Sequence, residues 1–178
     1  MSDLMKRRFG EEEAPSKKLK LNMDAAKAAA TDMEDPLFVI EITPYLKMTI
    51  THMNDVPYVD LRHFQVKDGR LVPTKKGIFL NLDQVWELDH HIRDISEALR
   101  DGKNIKSRFP LKKLALVTID PDYPGVDIRK YFIPDGMTTL KPSQKGVHMN
   151  PSEWSKVVQL LNALPALLPE YQNLSHVT

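Results

Sequence analysis

Few residue types in this chain of 178 residues carry chemistry on their own, and the first thing they do is exclude catalysis. Cysteine is absent, which removes disulfides, thiol nucleophiles and zinc–thiolate sites. No G-x-S-x-G elbow, P-loop, H-E-x-x-H or glycine-rich phosphate loop occurs, and seven glycines leave little for a nucleotide cradle. His90-His91 invites a metal, but neighbouring residues on a helix point apart and no third ligand falls in register. A surface or packing role is expected for that pair. The remaining candidates are cationic. Arg62 follows Asp60, and Arg129 follows Asp127, in the same Asp-x-Arg setting. Each arginine suits either an ion pair within its strand or a nucleic-acid contact. Lys6-Arg7-Arg8 and Lys17-Lys18-Leu19-Lys20 have the composition of a bipartite nuclear-import signal, of a phosphate-binding arm, or of a solvated tail. The chain reads as a non-enzyme with no cofactor and no metal.

Charge sharpens this. The net charge of +1 hides a gradient. Residues 1–35 hold seven Lys/Arg against eight Asp/Glu, residues 36–102 eight against ten, and residues 103–178 ten against six. An anionic partner is therefore expected at the second half. No run of about eighteen apolar residues exists, so no membrane span is expected. The start of the chain has no apolar core of a secretory signal.

The elements that must position these residues are legible in outline. Residues 1–35 read as a disordered charged tail, with a short alanine-rich helix over Asp24–Asp32 too brief to persist alone. Strands are expected over Leu37–Ile42, Leu46–Thr51, Val56–Val66, Arg70–Val72 and Gly77–Asn81. Asn81 then caps a helix whose stripe is Val85, Leu88, Ile92, Ile95 and Leu99, ended by Gly102. The second half begins near Phe109. Its first strand is expected to include Leu114, Leu116 and Ile119, followed by a turn over Asp120–Gly125. A strand over Val126–Ile133 is broken by a tight hairpin at Asp135-Gly136, and a short strand follows at Val147–Met149. Asn150-Pro151-Ser152-Glu153 is a capping-box helix start. Trp154, Val157, Val158, Leu161 and Leu164 form that helix's core side, and Pro165 is expected to stop it.

Two of these stretches are copies of one another. Val59-Asp60-Leu61-Arg62 and Asp68-Gly69 recur at one fixed offset as Val126-Asp127-Ile128-Arg129 and Asp135-Gly136. Pro73, Lys76-Gly77 and Asn81 recur two residues further out as Pro142, Lys145-Gly146 and Asn150. Shared order and spacing mark an internal duplication. The expected fold class is α+β: two tandem units, each a curved four-stranded antiparallel sheet followed by one helix. A sheet that small leaves a face and an edge uncovered, and about sixty residues make a thin core. The two units are therefore expected to pair as a pseudo-dimer within the chain, with the helix stripes near the join. The boundaries fall at 1–35 for the tail, 36–102 for the first unit, 103–170 for the second and 171–178 for a short tail.

The stretch Val126–Trp154, with its Val-Asp-Ile-Arg-Lys-Tyr-Phe, Asp-Gly, Lys-Pro, Lys-Gly and Asn-Pro-Ser-Glu-Trp, resembles the positive cofactor four family of transcriptional coactivators. The likeness covers residues 109–164 well and residues 37–100 more loosely. It implies a nuclear protein that binds single-stranded DNA and meets activators and the general transcription machinery, normally as a homodimer; further homodimerisation of the fused pair stays open. The resemblance places a base-stacking aromatic at Phe132 and phosphate-tracking lysines at Lys141 and Lys145, with Lys76 and its neighbour Lys75 in the first unit. Such residues suit a strand bound without sequence readout. Phe132 equally suits sheet packing, and the lysines equally suit exposed turns. The first unit has Gln65 and Val72 where the second has Phe132 and Lys141. Where the family has a Phe-Lys-x-Lys loop between its first two strands, the units have Met53-Asn54-Asp55-Val56 and Asp122-Tyr123-Pro124-Gly125, without lysine. Two readings follow: a coactivator that captures single-stranded DNA mainly through its second unit, or a protein-interaction scaffold in transcription that keeps the fold and has lost most nucleic-acid binding.

Overall fold

The computed structural model of the chain describes residues 36–101 and 104–174. The basic clusters, the alanine-rich run and Gly102 lie outside those residues. Two four-stranded antiparallel sheets are each followed by a helix. The first sheet has strands β1 (Phe38–Thr43), β2 (Leu46–Met53), β3 (Val56–Lys67) and β4 (Arg70–Asn81), in that spatial order, and leads into α1 (Leu82–Asp101). The second repeats the plan with β5 (Ser107–Pro110), β6 (Ala115–Asp120), β7 (Tyr123–Phe132), β8 (Lys141–Met149) and α2 (Pro151–Leu167). A short α3 (Pro169–Leu174) follows. The expected pair of tandem α+β units is the fold observed. No helix among the described residues is long and apolar enough to cross a membrane.

Both helix starts close as capping boxes. The Gln84 and Glu153 amides donate to the Asn81 and Asn150 side chains at 2.9 and 2.8 Å, and the asparagine amides donate back at 3.1 and 3.0 Å. Each box satisfies two amides that a bare helix start would leave open.

Several boundaries differ from expectation. Arg70–Val72 and Gly77–Asn81 belong to one strand, β4, interrupted only by a register shift against β3. The corresponding pieces of the second unit join in the same way as β8. The second unit's first strand is Ser107–Pro110, and Leu116 and Ile119 lie on its second strand. Leu114 lies in neither, because Lys112, Lys113 and Leu114 are all left-handed, with φ of 69°, 48° and 58°. Asp68-Gly69 forms a tight hairpin, with Lys67 paired to Arg70. Asp135-Gly136 instead sits inside a longer loop, 133–140, between β7 and β8. Pro165 does not stop α2. It lies in the last turn, where a missing amide forfeits one bond, and the burial of Leu164, Leu167 and Leu168 holds the turn. Past Pro169 the chain is anchored by Tyr171, which is 3% exposed.

The two units share one core. Val85, Leu88 and Ile95 of α1 and Trp154, Val157, Leu161 and Leu164 of α2 join the inner faces of both sheets in a single cluster. The last strand of each sheet, β4 and β8, runs alongside the other. The helices dock reciprocally on the opposite unit. Glu87 of α1 pairs with Lys112 at 3.3 Å, and the Gln84 side-chain amide donates to the Lys112 carbonyl at 3.2 Å. Lys156, at the position of α2 that matches Glu87, donates to the Ile42 carbonyl at 3.2 Å. The Trp154 indole donates to Ser96 of α1 at 3.2 Å. These matched contacts make the chain the internal pseudo-dimer expected.

Candidate nucleic-acid interface

The outer faces of the sheets are built on a repeated device. In β3 the Arg62 guanidinium donates twice to the Asp60 carboxylate, at 3.0 Å each, and once to the Thr74 carbonyl at 2.9 Å. In β7 Arg129 donates to Asp127 at 3.1 and 2.9 Å and to the Ser143 carbonyl at 3.0 Å. Each arginine lies flat across the glycine opposite it. A Cβ on Gly77 or Gly146 would come within 2.6 Å of the guanidinium carbon, which explains the glycine in both Lys-Gly pairs. Both guanidiniums thus make three hydrogen bonds within the protein, and the Asp127 pair holds the Arg129 pKa above its ordinary value. Burial pushes the Asp60 carboxyl upward, against the pull of Arg62.

A second repeated device sets the lysines. The Thr74 hydroxyl donates to the His63 carbonyl at 2.8 Å and accepts the Lys76 amide at 3.1 Å. Ser143 does the same between the Lys130 carbonyl, at 2.7 Å, and the Lys145 amide, at 3.1 Å. The hydroxyl fills the gap where each ladder slips, so the bulge has a fixed shape. Lys75, Lys76 and Lys145 are all exposed there.

At the far end of the second sheet Phe132 and Lys141 are cross-strand partners. Residues directly opposite share a face, so the two side chains project from the same side of the sheet. Phe132 is 45% exposed. The matching pair in the first unit is Gln65 and Val72. Next to this end, Lys130 lies close enough to Lys145 and Lys113 for their charges, after burial, to lower its amine pKa. None of Lys113, Lys130, Lys141 and Lys145 has a carboxylate partner among the described residues. Lys113 and Lys130 escaped the sequence reading. Lys113 is delivered by the left-handed turn, fastened where the Tyr131 amide donates to the Leu114 carbonyl at 2.7 Å. Only the doubled Lys112-Lys113 hinted at it. Lys75 and Lys76 belong to the other sheet, on the strand beside β8.

The histidine pair serves packing. The His90 ring bonds through Nδ1 to the Trp86 carbonyl at 2.8 Å and stacks on the Trp86 ring at 3.7 Å, while His91 lies against Phe109. Among the described residues no group of His, Asp and Glu is arranged to hold a metal.

Comparison with known proteins identifies the family. Residues 40–91 match the family described as Transcriptional Coactivator p15 (PC4). That match falls on the first unit, whose surface departs further from the family pattern. The RNA polymerase II transcriptional coactivator KIWI of Arabidopsis thaliana is 37% identical over 91 residues, 51% of this chain and 80% of that protein. Among solved structures, a MoSub1–ssDNA complex aligns over 42% of this chain and 89% of its own, at 28% identity and a TM-score of 0.34. With that share of a coactivator matched at that identity, the chain belongs to the Transcriptional Coactivator p15 (PC4) family.

Proposed function

We propose that this chain is a nuclear transcriptional coactivator that captures single-stranded DNA at the open end of its second sheet. The carrying observation is the exposed Phe132 in register with Lys141, beside Lys113, Lys130 and Lys145, which have no carboxylate partner among the described residues. Bases stack on Phe132 while Lys141 and Lys145 hold phosphates, with Lys75 and Lys76 as further phosphate contacts from the first unit. Arg62 and Arg129 act from behind: bound to their aspartates, they fix the strands that present the lysines, and they meet a strand only at its margin.

Family membership supports the coactivator role, and activators and the general transcription machinery are the protein partners it implies. Gln65 and Val72 favour a second role for the first unit, as a protein-binding face rather than a DNA-binding one. One experiment separates the readings. Fluorescence anisotropy with a labelled single strand of roughly 20 nucleotides, and its duplex, is run across a salt series. Salt-sensitive binding that prefers the single strand, and falls in Phe132→Ala and in Lys141→Ala/Lys145→Ala, is expected. No binding even at low salt leaves the scaffold reading.

A further inference from the structure

The two outer sheet faces differ in one respect that the duplication brings out. In the first unit Tyr58 and Phe79 meet edge to face, with centroids 5.8 Å apart, and fill the face beside Asp60. In the second unit the matching positions are Gly125 and His148. Two large rings are thus replaced by a hydrogen atom and an imidazole. His148 lies over Gly125, with Nε2 only 2.7 Å from where a Cβ would stand, and bonds to the Pro124 carbonyl at 3.1 Å. The hairpin between the second and third strands is also two residues shorter in the second unit. What opens is a cavity of about 300 Å³, the lower end of the range that ligand pockets occupy.

The lining is specific in kind. Tyr123, 70% exposed, stands at the rim, and Tyr131 forms a second aromatic wall, its hydroxyl 3.5 Å from that of Thr118. Asp120 and Lys106 face the cavity as a pair, 3.1 Å apart. Asp127 is already committed to Arg129. Charge therefore balances within the pocket, which disfavours a phosphate and suits a flat neutral group with both donors and acceptors. Aromatic walls and edge hydrogen bonds are how proteins read unstacked bases.

We propose that this cavity accepts one guanine base of the captured strand. The Asp120 carboxylate takes the N1–H and amino donors, and the Lys106 ammonium takes O6. Thymine, with one imide N–H between two carbonyls, cannot satisfy the carboxylate in this way. The inference rests on the strand-capture reading above. It adds a base preference that resides in the second unit alone and that the first unit's Tyr58 and Phe79 forbid.

The test compares all-thymidine strands with strands carrying one central guanine, using the full chain. One guanine is expected to tighten binding on the order of tenfold, the scale of one good edge-on base contact. His148→Phe, which installs the ring the first unit carries at this position, is expected to abolish that gain while all-thymidine binding stays unchanged. Asp120→Asn serves as a second variant should His148→Phe fail to fold. In parallel, dGMP and TMP are titrated and followed by amide NMR at Thr118 and His148, which reports on the pocket even if strands do not bind. Shifts with dGMP and none with TMP support the proposal. Equal responses to both, or a strand preference for adenine or cytosine, overturn it. Failure of all strands to bind alongside a dGMP response would strike the strand-capture reading and not the pocket.

Discussion

Gly146 and Lys145 are neighbours in sequence, and their substitution should have opposite consequences. The Gly146 Cα supports the Arg129 guanidinium, and a methyl group there must displace a side chain making three hydrogen bonds. Gly146→Ala should therefore destabilise the fold by about 2 kcal/mol, the scale of overpacking, read as a lower midpoint in urea. Lys145→Ala should leave that midpoint in place, since its ammonium has no partner among the described residues. Its effect should appear in single-strand binding, where the plot of log K against log salt should flatten by about 0.7 per lysine removed. Lys141→Ala should add a further step of the same size. Lys130 gives a pH signature. Burial and its two lysine neighbours lower its pKa, so as pH rises it loses its proton before an ordinary lysine does. Strand affinity should accordingly fall ahead of the ordinary lysine range, and Lys130→Met should remove that early phase. At this scale the family likeness points to Phe132, Lys141 and Lys145 as candidates, and the structure leaves all three exposed. Lys113 and Lys130 were not legible, because their meeting depends on three consecutive left-handed residues that no local signal announces.

Element boundaries were misread where a residue that usually breaks structure is tolerated for a local reason. Pro73 follows the expected end of a strand and Pro142 falls outside any expected strand, yet both lie inside the last strand of their sheets, where an absent amide takes nothing from a central ladder. Gly77 opens an expected strand of its own and Gly146 falls outside any expected strand, yet each lies inside its strand as the flat place on which an arginine rests. Pro165 looked like a stop, yet it sits in the final turn of α2. The capping boxes, by contrast, were readable, because cap chemistry is complete within four residues. These contrasts make paired predictions. Asn150→Ala should cost about 1 kcal/mol, as cap removal does. Pro165→Ala should stabilise, because it restores an amide that can donate to the Leu161 carbonyl without disturbing the buried Leu164 and Leu167. Thermal melts of the two variants should move in opposite directions.

The whole molecule differs from a homodimer of single units in one decisive way: its two faces need not be the same. A symmetric pair must keep a working surface on both copies or lose both together. Fusion lifts that constraint, and the first unit bears Gln65, Val72, Tyr58 and Phe79 where the second bears Phe132, Lys141, Gly125 and His148. What fusion cannot relax is the shared interior. Each helix docks on the other unit, and Leu46, Ile50, Leu88, Val117, Ile128, Val157 and Leu164 all lie in one cluster. A sheet of four strands with one helix buries only about 60% of its unfolded surface at this size, and cutting the chain would strip each half of the partner that covers its inner face. Expressed alone, residues 36–101 should therefore lack a cooperative melt, and so should residues 104–178. Mixing the two should restore one, with the Trp154 fluorescence of the buried indole returning as α2 closes on Ser96. The assay is circular dichroism melting of each half and of the equimolar mixture. A cooperative melt from either half as a monomer would mean that the units are independent domains tethered in sequence, and that the common core is a consequence of their proximity rather than the reason they fold.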